Sequence, residues 1–204
     1  MSDKPLVLVL HGPSGVGKDS VIDALRRKTG IHRATSSTSR RPRPDEVNGN
    51  DYHFLSCADF EAKIRAGDFL EYAKVYGDWK GLERDEVLRP LSEGRDVIIR
   101  TDVQGARTWR ERIEGAVFVF LMAESRESLR ARLRERGSED PESFERRLAE
   151  LEAELGDVDN NDYLVVNRQG QLEETVAELE QIIQNERDNP ERPYPRLRDE
   201  VPRS

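Results

Sequence analysis

The fold is decided by the stretch Gly12-Pro13-Ser14-Gly15-Val16-Gly17-Lys18-Asp19, which follows an apolar run and precedes a helical pattern from Ser20 to Lys28. Strand, glycine-rich loop and helix in this order are the context in which G-x-x-x-x-G-K-[ST] binds phosphate. Small residues let the backbone N–H groups surround a phosphate, and the helix N-terminus adds its positive dipole end. The stretch therefore predicts a nucleoside triphosphate site over residues 12–20.

The last position of this motif is unusual. Lys18 stands where it reaches the outer phosphates, but Asp19 replaces the expected hydroxyl residue. Ser20 could supply that hydroxyl only if the register shifted by one residue. A carboxylate oxygen is a good hard ligand for Mg²⁺, so Asp19 is predicted to lie on the metal side of the site.

Composition excludes several classes of protein. The chain has 204 residues and a formal net charge of −8, which disfavours a duplex nucleic-acid binder. Its single cysteine, Cys57, rules out an internal disulfide and fits a reducing compartment. No apolar run approaches the ~20 residues that span a bilayer, and Met1–Pro5 leads directly into the first strand. We expect a cytoplasmic protein that binds neither nucleic acid nor membrane, as a monomer or small homo-oligomer.

Short apolar runs alternate with helical patterns along the chain. Besides the first strand, the runs cover residues 97–99, 116–122 and 163–166, and strong helical patterns cover 125–136, 141–155 and 172–187. This alternation predicts an α/β fold with a parallel sheet flanked by helices. Ligands bind outside the carboxyl ends of such strands, so Asp102 should share a cleft with the phosphate loop.

Two segments break the alternation. Residues 34–82 contain short strand-like runs and turns, which predict a small inserted β lobe. Residues 189–204 hold four prolines among charged residues and predict an extended tail beyond the folded domain. The core domain is then expected over 1–33 and 83–188, with a lid at about 126–147.

The inserted lobe carries a second candidate phosphate site. Ser36 to Arg43 place arginines in a hydroxyl-rich turn, and a guanidinium group binds phosphate in a bidentate manner. Tyr52 could donate to the same phosphate. Glu71 could accept hydrogen bonds from the amino group and ring N–H of a purine, and guanine offers that donor pair whereas adenine does not.

From Pro5 to Gln184 the chain resembles the guanylate kinase family, the P-loop enzymes that transfer a phosphoryl group from ATP to GMP. The resemblance rests on eight motifs in order, namely Gly12–Lys18, Ser36–Arg43, Glu46–Phe54, Phe69–Glu71, Asp102–Ala106, Arg132–Gly137, Arg147–Ala149 and Val165–Asn167. It implies a P-loop fold with a monophosphate-binding lobe and a helical lid, and Mg²⁺ bound with ATP.

The resemblance also implies a role for each matching residue. Arg40, Arg43 and Tyr52 would hold the GMP phosphate, while Ser36, Glu71 and Asp102 would recognise guanine. Lys18 and the lid arginines Arg132, Arg136 and Arg147 would be catalytic, and Asn167 would lie near the adenine. The predicted ATP-binding residues are 12–20 and Asn167, and the predicted metal ligands are Asp19 and Asp102. The predicted GMP-binding residues are Ser36, Arg40, Arg43, Tyr52, Glu71, Lys80 and Asp102.

Four positions depart from the family pattern. Asp19 replaces the loop hydroxyl, Lys80 replaces a tyrosine, Leu82 replaces a threonine or serine, and Arg100 replaces the first acid of an Asp-x-Asp pair. Lys80 can still donate to phosphate, whereas Leu82 removes a hydroxyl that the family uses against the base. We interpret Asp19 and Arg100 as compensating changes, with one carboxylate moved from the sheet to the loop.

Two alternatives remain open. The Lys18-Asp19-Ser20 form also resembles ribose 1,5-bisphosphate phosphokinases of the same fold, although the set of Arg40, Arg43, Glu46, Tyr52 and Glu71 favours GMP. A non-catalytic guanylate-kinase-like binding module is the second alternative, and the intact loop and lid arginines disfavour it.

Overall fold

The computed structural model describes residues 4–75, 77–135 and 161–198. The strands there are β1 (Val7–His11), β2 (His32–Ala34), β3 (Ser37–Thr38), β4 (His53–Phe54), β5 (Phe69–Val75), β6 (Asp78–Glu83), β7 (Val97–Arg100), β8 (Ile113–Glu114), β9 (Val117–Ala123), β10 (Tyr163–Asn167) and β11 (Arg196–Leu197). The helices are α1 (Lys18–Thr29), α2 (Cys57–Ala66), α3 (Asp85–Ser92), α4 (Val103–Arg112), α5 (Arg126–Glu135) and α6 (Leu172–Asp188).

The central sheet is parallel and has the strand order β10-β9-β1-β7-β2. β1 lies in its middle and every residue of β1 is buried. Leu8 and Leu10 pack with α1 and α6, while Val7 and Val9 pack with α3 and α4 on the other face. A strand covered on both faces reads as a continuous apolar run, and the predicted α/β fold with a parallel sheet flanked by helices is confirmed.

A second sheet, of order β4-β3-β6-β5, is built from residues within the predicted lobe. The lobe also contains α2, which the sequence analysis did not predict. Ser56 caps this helix by accepting a hydrogen bond from Asp59 N, and Gly67 ends it in the left-handed region with φ 78°. Phe60 of α2 is fully buried and stacks on Phe69, with ring centroids 4.3 Å apart. This aromatic packing holds α2 against the lobe sheet.

The C-terminal segment corrects one expectation, because up to residue 198 it packs on the core instead of lying beyond it. Arg192 is 5% exposed, and its guanidinium donates to the carbonyls of Lys4, Pro5 and Glu186. Further along, β11 pairs antiparallel with β8. This segment therefore packs near the amino end of β1, whereas the phosphate loop follows the carboxyl end of that strand.

The described residues do not include most of the predicted lid, among it Arg136 and Arg147. They also do not include the predicted helix over 141–155. Within the described part of the chain, no helix is both long and apolar enough to cross a bilayer.

Candidate active site

The phosphate loop connects β1 to α1 and depends on two glycines. Gly12 has φ +142°, and a Cβ there would lie 2.2 Å from the Leu121 carbonyl oxygen. Gly17 has φ +96°, and a Cβ there would lie 2.6 Å from Asn167 Nδ2. Both positions combine a backbone conformation that favours glycine with a steric limit, so the loop conformation requires these residues.

Lys18, the first residue of α1, is 8% exposed. Its Nζ donates to the carbonyls of Gly12 at 2.5 Å and Pro13 at 3.0 Å. These bonds hold the ammonium group over the loop, at the positive end of the α1 dipole. The loop, Lys18 and the N-terminus of α1 thus lie together at the carboxyl end of β1, an arrangement that suits an anion, and ATP binding there stays a prediction.

Asn167, the last residue of β10, is hydrogen-bonded to the phosphate loop. Its Nδ2 donates to the Val16 carbonyl at 2.8 Å, and Thr175 Oγ1 donates to its Oδ1 at 3.2 Å. The buried side chain thus fixes the loop to the sheet. Its contact with adenine stays a prediction.

Arg132 on α5 lies against the same part of the loop. Its Nη2 donates to Glu124 and to the Asn167 carbonyl, each at 2.8 Å, and its Nη1 lies 3.4 Å from the Val16 carbonyl. Arg132 therefore anchors α5 to the loop. The catalytic role predicted for Arg132 stays a prediction.

Asp19 is held by two cations, which the sequence analysis did not foresee. Its Oδ1 lies 3.0 Å from Arg33 Nη2 and 2.9 Å from Arg100 Nε. The other predicted metal ligand, Asp102, caps α4 by accepting a hydrogen bond from Gly105 N at 2.7 Å. Among the described residues no three His, Cys, Asp or Glu side chains group as a metal site. Asp19 therefore lies in an ion cluster with Arg33 and Arg100, and its role as a metal ligand stays a prediction.

The predicted GMP phosphate site is organised around Arg40. Its two terminal nitrogens bind both oxygens of Glu46, at 2.5 and 2.6 Å, and its guanidinium carbon lies 5.0 Å from the Tyr52 ring centroid. The hydrogen bonds from Arg40, with one from Arg43 N, lower the pKa of Glu46 to about 2. Glu46 therefore stays ionised and fixes the orientation of Arg40, and Arg43 lies exposed beside it.

Glu71 on β5 is an acid of the lobe whose pKa is strongly raised. Burial raises its pKa to about 7; the nearby Arg112 lowers it and Asp102 raises it further. It lies opposite Leu82 of β6 in the register, and Leu82 is 2% exposed. Leu82 is thus the apolar cross-strand neighbour of Glu71, and the burial of the carboxyl group favours its neutral form.

The two remaining predicted lobe residues lie on neighbouring segments. The Ser36 carbonyl accepts a hydrogen bond from His53 N at 2.9 Å, and Lys80 pairs with Thr38 in the lobe sheet. The structure brings Asp102 near Glu71, but it gives no contact between Ser36 and Glu71 among the described bonds.

A further acid, Glu86 on α3, connects the core to the lobe. It lies 3.4 Å from His32 Nε2 of β2 and 3.1 Å from His53 Nε2 of β4, and it accepts a hydrogen bond from Thr35 N at 2.8 Å. Burial raises its pKa, but the bonds from His32 and Thr35 N and the charge of His53 outweigh this, and the pKa falls to about 2. Thr35 lies between the two sheets, so Glu86 fixes the connection.

Sequence reasoning missed Arg33, Arg112 and Glu86. None belongs to a motif, and each acts on a residue distant in the chain. The local signal is weak: Arg112 ends α4 and Glu86 lies in the first turn of α3, whereas Arg33 lies in the middle of the short strand β2.

Comparison with known proteins places this geometry in context. The guanylate kinase family model matches residues 3–186. Guanylate kinase of Alkalilimnicola ehrlichii is 42% identical over 190 residues, covering 93% of each chain. Guanylate kinase 2, chloroplastic/mitochondrial, of Oryza sativa subsp. japonica is 42% identical over 90% of this chain, and the match spans 65% of that longer protein. The crystal structure of guanylate kinase from Anaplasma phagocytophilum superposes with a TM-score of 0.70 at 28% identity, covering 93% of this chain and 89% of that one.

Proposed function

The chain belongs to the guanylate kinase family and is a nucleoside monophosphate kinase, and on that premise we propose that it transfers the γ-phosphoryl group of ATP to GMP in the cleft between the phosphate loop and the lobe. The observation that carries the choice of acceptor is Glu71. A half-buried carboxylate with an apolar cross-strand neighbour suits the N1–H and amino donors of guanine, and a sugar phosphate has no matching group.

The loop and Lys18 would hold the β- and γ-phosphates of ATP, while Arg40, Arg43, Tyr52 and Lys80 would hold the phosphate of GMP. Glu46 supports this role because it fixes the Arg40 guanidinium before substrate arrives. Glu71, with Ser36 and Asp102, would hold the guanine. The acceptor phosphate would then lie in line with the γ-phosphoryl group, and such positioning is a main part of catalysis in phosphoryl transfer.

Cationic side chains would stabilise the charge that spreads over the transferring group. Lys18 supplies one at the loop, and Arg132 would supply another after leaving its partners Glu124 and the Val16 carbonyl. Closure of the lobe and lid would exclude water, which otherwise competes with GMP as acceptor.

Mg²⁺ would enter with ATP, held mainly by phosphate oxygens and water, and would neutralise charge between the phosphates. Of the two predicted protein ligands, Asp102 retains an exposed carboxylate at the carboxyl end of β7, whereas Asp19 is engaged with Arg33 and Arg100. We further propose that the protein acts in the cytoplasm as a monomer or small homo-oligomer.

Titration and product analysis test this function together. The purified protein should bind ATP·Mg²⁺ and GMP in separate calorimetric titrations, and chromatography should show ADP and GDP formed in equal amounts. AMP in place of GMP should give less than about a hundredth of the rate. A protein that binds neither nucleotide would instead be a non-catalytic binding module.

A further inference from the structure

An ion cluster of Asp19, Arg33 and Arg100 lies directly beside the phosphate loop. Asp19 is the second residue of α1 and follows Lys18, and Arg100 ends β7 in register with Leu10 of β1. Both arginines approach the same oxygen, Asp19 Oδ1, at 3.0 and 2.9 Å. The two residues that depart from the family pattern on the metal side therefore contact each other.

The three members differ in exposure. The Arg33 side chain is 10% exposed and also lies 3.3 Å from Asp23 Oδ1, so two acidic partners hold it in place. The Arg100 side chain is 38% exposed and Asp19 is its only ion-pair partner among the described residues. Arg100 is thus the member that can turn toward a ligand at the loop.

A direct metal contact conflicts with this arrangement. Mg²⁺ on Asp19 would share one carboxylate with two guanidinium groups and would add a third positive centre within a few ångströms. The cluster instead places the half-exposed Arg100 guanidinium beside the phosphate loop.

We propose that Asp19 is a positioning residue that holds Arg100 beside the phosphate loop, where the guanidinium contacts the ATP phosphates from the side on which the family pattern places an acidic residue. The proposal rests on the proposed function and names a further phosphate-binding residue for it. Asp19 then acts through Arg100, and neither residue is a metal ligand.

Binding of ATP with and without metal separates the two roles of Asp19. We would measure the dissociation constant of ATP in excess Mg²⁺ and in EDTA for the parent protein, Asp19→Ser, Arg100→Asp and the double variant. Asp23→Ser, alone and with Arg100→Asp, is the matched control, because Asp23 pairs with Arg33 but not with Arg100 among the described contacts. Thermal unfolding of each variant shows whether it is folded.

Arg100→Asp should weaken metal-free ATP at least tenfold, because it sets two carboxylates beside the loop. Asp19→Ser should strengthen metal-free ATP about threefold, since it leaves Arg100 without its acidic partner, while it lowers kcat because Arg100 is no longer held. The double variant should bind metal-free ATP about threefold more weakly than the parent, because it lacks Arg100. Asp19→Ser should no longer lower kcat in the Arg100→Asp background, where there is no guanidinium to hold. Asp23→Ser should not change the effect of Arg100→Asp.

The opposite pattern would overturn the proposal. If Asp19 is a metal ligand, Asp19→Ser weakens ATP binding only in Mg²⁺, and it lowers kcat equally with and without Arg100→Asp. These titrations need no acceptor. Failure of the protein to phosphorylate GMP would therefore refute the proposed function and leave the binding result to be judged by itself.

Discussion

Lowering the pH from 8 to 6 should weaken GMP binding about tenfold through Glu71. Its pKa is raised to about 7, chiefly by burial, so the carboxylate form falls from about nine-tenths of the protein at pH 8 to about one-tenth at pH 6. Only the carboxylate accepts both guanine donors, because the neutral acid presents an O–H where an acceptor is needed. The apparent KM for GMP should rise in proportion, while the KM for ATP changes much less.

Initial rates of ADP formation, measured by quenching and chromatography, give KM without pH-sensitive coupling enzymes. The GMP phosphate also titrates in this range, so Glu71→Gln is the control. The variant should have a higher KM for GMP at pH 8, and its KM should follow only the titration of the substrate. Identical pH profiles for the parent and Glu71→Gln would refute the assignment of Glu71 to the base.

Three further predictions concern the lobe, its connection and the C-terminal segment. Leu82→Thr should lower the KM for GMP about fivefold by restoring a hydroxyl beside the base, at a cost of about 2 kcal/mol in unfolding free energy, whereas Leu82→Ala should show only the loss of stability. Glu86→Gln should destabilise the protein by about 2 kcal/mol at pH 7. The pKa of Glu86 is lowered from its usual 4.5 to about 2 in the folded protein, so its carboxylate stabilises the fold above pH 4.5 and loses that effect as the pH falls toward 2. The difference in unfolding free energy between the parent and Glu86→Gln should therefore be largest above pH 4.5 and vanish near pH 2. A pH-independent difference in denaturant titrations would contradict this. Arg192→Met should lower the melting temperature by about 6–12 °C, since three carbonyl groups lose their donor, and an unchanged melting temperature would show that the segment does not support the core.

The sequence predicted those parts of the molecule that local pattern controls. Apolar runs predicted β1, β7, β9 and β10 of the central sheet but not the short edge strand β2. The spacing of Gly12, Gly17 and Lys18 predicted the loop between β1 and α1, because backbone conformation there depends on neighbouring residues. The helix α2 was missed although Ser56 and Asp59 form a capping pair, since its amphipathic pattern is short and contributes only one fully buried side chain, Phe60.

Contacts between distant parts of the chain could not be predicted in this way. The partners of Arg192 are mostly carbonyl groups near the N-terminus, which every residue possesses and no pattern marks. The pairing of Asp19 with Arg100 depends on the β1–β7 register, and the sequence alone suggested only that their charges compensate. The pKa of Glu71 likewise depends on burial in the folded chain and on the charges of Arg112 and Asp102.

The central claim is that the acceptor is GMP, recognised through its base by Glu71. The most direct test is kcat/KM with ATP·Mg²⁺ for GMP and for ribose 1,5-bisphosphate, measured on the parent protein and on Glu71→Gln. The account predicts a value at least a hundredfold higher for GMP, and a marked loss of that preference in the variant. Equal values for the two acceptors, or a preference for the ribose bisphosphate, would contradict it.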